Sequence, residues 1–266
     1  MYDTGYIMVT VYLDETQQTT PAAYAFVAGF RGTDAEWNCF LPKWTSALGG
    51  KKSLHLTDLR WNSEQGENRV RHLLAKLGPI PYECGLVPVF GGVRVSDYSD
   101  LIKGDSEFER KVQGYTVCLA AVFCLLMGTL QGHEQVNVVC EAQENYEPKA
   151  RKLFKVFRYL AGQNPLYPSL TSIEFVSKNT FLEPADFFAF ALGKKFNEPN
   201  TKKDLWCNPI HDENYQIPCR AGMWMDRKVA RETIEMIKAD VKARAGTSLL
   251  RTAIESQRIR EILRAN

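Results

Sequence analysis

The sequence predicts an α/β protein with a mixed sheet of about five strands flanked by helices, and with extra helices at the C-terminus. Two apolar strand-like segments open the chain, and strands then alternate with amphipathic helices as far as residue 198. Such an order is typical of a sheet with helices packed against it. We therefore expect one α/β domain over residues 1–198 and, over 199–266, a loop and a basic helical extension packed on that domain.

The predicted strands are short runs rich in β-branched and aromatic residues. In the first, YIMVTVYLDE, nearly every side chain on both faces could be buried, which is typical of a central strand. A short connection favours antiparallel pairing of the second strand with the first. Pro88 disfavours an interior place for its strand, because proline has no N–H to donate. The five predicted strands cover residues 6–15, 24–30, 83–95, 135–141 and 171–177, and residues 53–61 form a short strand or extended segment.

The predicted helices begin at capping residues and end at glycine or proline. Thr33 caps the first helix, Glu36 completes a capping box, and Gly49 ends the helix. Pro184 lies in the first turn of a late helix, where a missing N–H costs nothing. The helices cover about 34–48, 63–77, 147–160, 181–196, 226–244 and 247–264, and a long helix begins at Asp105 or Ser106.

The long helix contains the most apolar segment of the chain, residues 112–131. It includes Gln113, Gly114 and Gly128 and follows the charged SEFERK opening, so its apolar length falls short of the roughly 20 residues that a membrane span needs. The segment is therefore predicted to be a buried core helix, and no membrane association is expected.

Composition and charge limit the functional classes. The N-terminus lacks the basic and apolar regions of a signal peptide, which favours the cytoplasm. Seven cysteines, several of them in apolar runs, favour reduced thiols over a disulfide framework. The net charge is +2, but residues 220–266 hold eleven Lys and Arg against six Asp and Glu. These basic helices suit contact with nucleic-acid phosphates or a solvated face, and their apolar stripe suits packing on the core or a homodimer.

Five acids lie at the ends of predicted elements. Asp14 and Glu15 end the first strand, Glu141 ends the fourth, and Glu183 and Asp186 share the first turn of a late helix. If that helix crosses the strand ends, these carboxylates converge, and two of them about 4 Å apart repel by about 4 kcal/mol at an effective dielectric near 20. A divalent cation reverses that cost, so Mg²⁺ or Mn²⁺ is expected. The alternative is that each acid only caps its own strand or helix.

A family resemblance rests on YLDE, AFVAGF, HLTD, a strand ending in an acid, and LEPADFFAFAL. With these motifs, residues 6–196 resemble the uncharacterised family known as domain of unknown function 3800, which is grouped with the ribonuclease H-like fold. The resemblance implies a metal-dependent nuclease whose metal ligands are Asp14, Glu141 and Asp186. Two departures are that Thr16 and Gln17 replace the family's Ser-Gly, and that Glu183 replaces its usual Gln.

His55 and Asp58 form a second candidate pair. Spaced as H-x-x-D, they could position a water molecule or a phosphate, and the resemblance favours a place near the site. His55 lies between two leucines, however, so half-burial on a strand edge explains it equally well.

Other motifs predict no further cofactor. Cys207, His211 and Cys219 lack the fourth ligand and the spacing of structural zinc. Cys140 is expected to be a buried strand cysteine, because no helix N-terminus or histidine is predicted beside it. No phosphate-binding glycine motif is present, so no nucleotide cofactor is expected.

Two functions of different classes follow. The first is a cytoplasmic metal-dependent nuclease in which Asp14, Glu141 and Asp186 bind Mg²⁺ or Mn²⁺, Glu15 and Glu183 are supplementary acids, and His55 supports the site. The second is a non-catalytic adaptor that binds nucleic acid or protein and retains the fold.

Overall fold

The computed structural model describes residues 5–16, 24–49, 63–99, 107–197 and 222–225, together with 227, 228, 230, 231 and 233. For residues 98, 99 and 107–113 only the backbone is described. The strands are β1 (Ile7–Glu15), β2 (Tyr24–Thr33), β3 (Val87–Arg94), β4 (Glu134–Glu141), β5 (Ser169–Val176) and β6 (Gly222–Met225). They form one mixed sheet in the order β5-β4-β1-β2-β3-β6.

The central strand β1 has a different kind of neighbour on each side. It pairs antiparallel with β2 and parallel with β4, and β4 pairs parallel with β5. The C-terminal ends of β1, β4 and β5 therefore lie at one edge of the sheet. Residues that directly follow any of these three strands therefore lie at that edge.

In the described part of the chain up to residue 197, seven helical segments accompany the strands. They are α1 (Asp34–Leu48), α2 (Glu64–Leu77), α3 (Ile80–Glu83), α4 (Val95–Ser99), α5 (Glu107–Thr129), α6 (Glu147–Gly162) and α7 (Glu183–Asn197). Helices α5 and α6 join the hydrophobic core on one face of the sheet. Helices α1, α2 and α7 join the core on the other face. The prediction of an α/β sheet flanked by helices is confirmed in this form.

The first helix has the bounds that its capping residues predict. The Glu36 carboxylate accepts hydrogen bonds from the Thr33 amide at 2.6 Å and from the Thr33 hydroxyl at 3.0 Å. Gly49 follows the last turn with φ of 63°, in the left-handed region that glycine adopts without strain. These local contacts fix both ends of α1.

The long helix α5 is buried, as its sequence predicts. Every residue from 114 to 128 is buried. Gly91 of β3 allows this helix to lie directly on the sheet, because a Cβ added there would be 2.0 Å from the Cys118 carbonyl oxygen. Among the residues described, no helix combines the length and apolar character that crossing a bilayer requires.

The structure corrects two predictions about the sheet. The strand predicted over 83–95 is observed as the shorter β3 (Val87–Arg94). Its predicted start is different because α3 ends at Glu83 and Gly85 turns the chain with φ of 80°. A sixth strand, β6, lies at the edge in the region predicted as the extension, where it pairs parallel with β3. It has only four residues and no local strand signal, and Gly222 is required there because a Cβ would lie 1.9 Å from the Phe90 ring.

Some predicted elements fall outside the described residues. These are the segment 53–61, the cap at Asp105 or Ser106, and the C-terminal helices beyond residue 233. Residues 227, 228, 230, 231 and 233 are helical, as predicted for the start of the first of those helices.

Candidate functional site

Asp14 is a buried carboxylate near the end of the central strand. Asp14 is only 5% exposed, and its Oδ1 atom accepts a hydrogen bond from the backbone N–H of Glu15 at 2.8 Å. Burying a carboxylate costs free energy unless nearby groups compensate for the lost water. The surroundings of Asp14 therefore decide what this position can do.

Glu141 lies level with Asp14 on the neighbouring strand. In the parallel pairing of β1 with β4, Tyr12 is opposite Val139 and Leu13 is opposite Cys140. Continuing this register by one residue brings Asp14 beside Glu141, with both side chains on the face of the sheet that Tyr12 occupies. The sequence prediction that each of these acids lies at the end of its strand is confirmed, and the structure adds that the two strands are neighbours.

Asp186 approaches the same place from the first turn of α7. Its Oδ2 atom lies 2.5 Å from Nζ of Lys178, and both side chains are mostly buried. Lys178 follows the end of β5 by two residues, so it enters from the same edge as Glu141. The ion pair joins the β5 end to the start of α7.

The electrostatics of Asp14 show that these charges are close. Burial raises the pKa of Asp14 well above its ordinary value, and the negative charges of Glu15, Asp186 and Glu141 raise it further. The ammonium of Lys178 acts in the opposite direction. For Lys178 itself burial lowers the pKa, but the hydrogen bond to Asp186 and the nearby acids outweigh burial and leave the pKa raised.

Glu15 points to the other face of the sheet. Its carboxylate accepts a hydrogen bond from Gln143. Burial raises the pKa of Tyr115 and Tyr146, whose stacked rings lie 4.5 Å apart, and the charge of Glu15 raises both further. Burial raises the pKa of Glu15 to about 7, although its hydrogen bonds lower it. Glu15 also shares a side-chain hydrogen bond with Asp14, and its negative charge raises the pKa of Asp14.

Cys140 and Tyr115 lie in the same hydrophobic core, on the face of the sheet that α5 covers. The thiol is hydrogen-bonded with Tyr115, and burial raises its pKa to about 12. A thiol with such a pKa is almost entirely protonated at neutral pH and is a poor nucleophile. The prediction of a buried strand cysteine is confirmed.

Glu183 makes its contact with α1. It is 1% exposed, and its Oε2 accepts the indole N–H of Trp44 at 2.6 Å. Glu183 and Asp186 were expected to share one helix face toward the site, but their contacts differ: Glu183 contacts α1, whereas Asp186 contacts Lys178. Glu183 thus ties α7 to α1 beside the acidic group.

The described residues contain no group of three or more His, Cys, Asp and Glu side chains already arranged to hold a metal ion. The acids are near enough to act on one another through charge without forming a ligand sphere. His55 and Asp58 lie outside the described residues, as do Cys207, His211 and Cys219.

The sequence was also compared with known proteins. No family model matches it, and no curated protein is similar enough to count as a relative. The site must therefore be interpreted from its own chemistry.

Sequence reasoning missed Lys178 and Gln143, which both contact the acids. Each follows, by two residues, the end of a strand that lies parallel to the central strand or to its neighbour. That position was a usable signal, because polar residues just after parallel strands meet at one edge of the sheet.

Proposed function

We propose that this protein is a metal-dependent nuclease that hydrolyses the phosphodiester bonds of DNA or RNA on a ribonuclease H-like sheet. The observation that carries the proposal is that Asp14 and Glu141 lie level on neighbouring parallel strands, with Asp186 at the start of α7 close enough for its charge to act on the buried Asp14. These acids come from β1, β4 and α7, which are the strand-end, fourth-strand and late-helix positions that the family resemblance implies. The mixed sheet around β1 supports the same interpretation.

The donor set suits a hard divalent cation. Asp14, Glu141 and Asp186 offer carboxylate oxygens, which are the ligands that Mg²⁺ and Mn²⁺ prefer, and these three residues would hold the ion. A bound divalent ion supplies a Lewis acid and lowers the pKa of water in phosphodiester hydrolysis. Because the acids do not already form a ligand sphere, ion binding has to draw their side chains together.

The protein groups around the acids have separate tasks in this proposal. Asp14 must lose its proton before it can bind a cation, so its raised pKa makes cation binding weaker at low pH. Lys178 neutralises Asp186, and its ammonium group is a positive charge that can bind a phosphate oxygen of the substrate. Glu15, which is hydrogen-bonded with Asp14, adds negative charge beside it once deprotonated and favours a bound cation.

A nucleic-acid substrate also needs contacts away from the acids. Arg227, Lys228 and Arg231, at the start of the predicted basic helices, have exposed side chains. Exposed cations of this kind bind phosphates without regard to base sequence. They support nucleic acid as the partner of the proposed enzyme.

One observation favours a second candidate function. The ammonium of Lys178, 2.5 Å from Asp186, supplies positive charge to the acids without any metal ion. Such compensation is what a non-catalytic adaptor that retained the fold would need. In that case the acids would stabilise the protein and bind no divalent cation.

A nuclease assay separates the two candidates. Single-stranded and double-stranded DNA and RNA are incubated with the purified protein in Mn²⁺ or Mg²⁺, and wild type is compared with Asp186→Asn. We expect cleavage by wild type and a loss of roughly 100-fold or more in the variant, because loss of a metal ligand should cost at least as much as loss of a group behind a ligand.

The matched control is Asp34→Asn. Asp34 is an exposed acid that follows Thr33, and Thr33 pairs with Val9 near the start of β1, far from Asp14. This variant should cleave as wild type does. Equal activity of wild type and Asp186→Asn would refute the site, and no cleavage of any substrate would favour the adaptor.

A further inference from the structure

Two cysteines from different helices have their sulfur atoms in contact. Cys39 lies within α1, and Cys84 directly follows α3. Their Sγ atoms are 2.6 Å apart, although the residues are separated by 45 positions in the chain. A disulfide bond has a length of about 2.05 Å, so closing this pair requires a further approach of only about 0.6 Å.

The contact belongs to a defined interface between α1 and the chain around α3. Glu36, Cys39 and Lys43 follow one another at helical spacing, so they share one face of α1. Glu36 lies beside Gly85, Cys39 contacts Cys84, and Lys43 forms an ion pair with Glu83 at 3.8 Å. These contacts on both sides of the thiols hold the two sulfur atoms in register.

The two thiols differ in their access to reagents. Cys39 is exposed, whereas Cys84 is 5% exposed. Burial, together with the contact with Cys39, raises the pKa of Cys84 to about 11. An incoming reagent therefore meets Cys39 first. The other described cysteines, Cys118, Cys124 and Cys140, are buried.

We infer that Cys39 and Cys84 form a reversible disulfide when the protein meets a small disulfide such as oxidised glutathione. The Cys39 thiolate attacks one glutathione sulfur, a mixed disulfide forms, and one glutathione thiolate leaves. The Cys84 sulfur, after losing its proton to solvent, then attacks Cys39 Sγ and releases the second glutathione. Two protein thiols are oxidised, and one glutathione disulfide is reduced to two thiols.

The bond would fix α1 to the segment between α3 and β3. Because it closes a 45-residue loop, it restricts the unfolded chain and stabilises the folded protein. The inference does not depend on the proposed nuclease, since none of these residues belongs to the acidic group.

The test is a thiol map of the full-length protein after incubation with oxidised glutathione. Free thiols are alkylated, and the protein is digested without reduction and analysed by mass spectrometry. We expect a peptide that joins Cys39 to Cys84, a melting temperature raised by roughly 5 °C or more, and reversal of both changes by dithiothreitol.

Two variants complete the experiment. Cys39→Ser, at an exposed position that tolerates the change, should lose both the cross-link and the rise in melting temperature. A Cys207→Ser/Cys219→Ser double variant should keep both, which shows that those cysteines are not the source. Glutathione that remains on Cys39 while Cys84 stays reduced, or a melting temperature unchanged by oxidation, would overturn the inference.

Discussion

Among the residues described, Lys178 is the one whose positive charge most directly offsets the acidic group. Its Nζ lies 2.5 Å from Asp186 Oδ2, and its charge acts on the pKa of Asp14 as well. A metal ion and this ammonium would both neutralise the same carboxylates. Removing the ammonium should therefore weaken the metal-free protein and increase the stabilisation that a cation supplies.

Lys178→Met tests this idea, because methionine keeps much of the side-chain volume and removes the charge. Without metal, the free energy of unfolding should fall by about 1–3 kcal/mol, since Asp186 loses its partner. The rise in melting temperature caused by Mn²⁺ should be larger than in wild type. Lys155→Met, at an exposed position of α6, should leave both quantities as they are. An equal Mn²⁺ response in wild type and Lys178→Met would contradict the idea.

Glu15 gives the protein a pH dependence with a defined sign. Its pKa is about 7 in the folded protein against an ordinary 4.5, so the folded state binds the proton more tightly than the unfolded state. The resulting stability is complete below pH 4.5 and is lost as the pH rises to 7. Asp14 acts in the same direction, because its pKa is also raised.

Thermal unfolding in the presence of a chelator measures this effect. Wild type should melt at a higher temperature at about pH 5 than at about pH 8, and Glu15→Gln should show a smaller difference. Glu64→Gln, a change of an exposed acid at the start of α2, serves as the control. A Glu15→Gln variant with the full wild-type pH dependence would show that the titrating group lies elsewhere.

Side-chain direction was the residue-level property that the sequence predicted least well. The strand patterns predicted that Asp14 and Glu141 lie at the ends of strands, and the structure adds that these strands are neighbours. The contact of Glu183 with Trp44 could not be predicted, because it depends on where α1 packs against α7. Helical spacing shows which residues share a face, but tertiary packing decides what each side chain contacts.

At the scale of elements, glycine residues determine how closely helices and strands can approach one another. Gly91 lies under the Cys118 carbonyl of α5, and Gly92 lies under the rings of Phe26 and Trp224. The segment FGGV, residues 90–93, contains no nucleotide-binding pattern. Its structural reason is packing on both faces of β3, which a single sequence does not reveal.

Gly91→Ala should therefore destabilise the fold. The added Cβ would lie 2.0 Å from a backbone oxygen, so α5 or β3 has to move, at a cost of about 1–3 kcal/mol or more. Gly162→Ala is the matched control, because nothing lies within 4 Å of its Cβ position at the end of α6. That variant should be unchanged or slightly more stable, and denaturant unfolding of both proteins measures the difference. If both substitutions had the same effect, the close packing of α5 on β3 would be refuted.

Element bounds were predictable where local chemistry determines them. α1 has the predicted bounds because its cap and its terminal glycine are local signals, and α5 is buried because its apolar content leaves no alternative. β6 was missed because four residues carry too little pattern, and its pairing depends on β3, more than a hundred positions earlier in the chain. Short edge strands are specified by long-range contacts.

The sheet topology brings the site together at the scale of the whole molecule. Parallel pairing of β1, β4 and β5 directs three strand ends to one edge, and α7 begins at that edge with Asp186 in its first turn. The sequence predicted which residues end the strands but not the strand order. The proposed metal site and nuclease activity depend on the charges that meet at this edge.

The most direct test of the central claim is the melting temperature of wild type and of Asp14→Asn with and without Mn²⁺, with Asp34→Asn as the control. If the acids hold a divalent cation, saturating Mn²⁺ should raise the melting temperature of wild type and of Asp34→Asn by roughly 5–10 °C, and that of Asp14→Asn far less. An identical response of all three proteins, or no response in wild type, would contradict a metal site at Asp14.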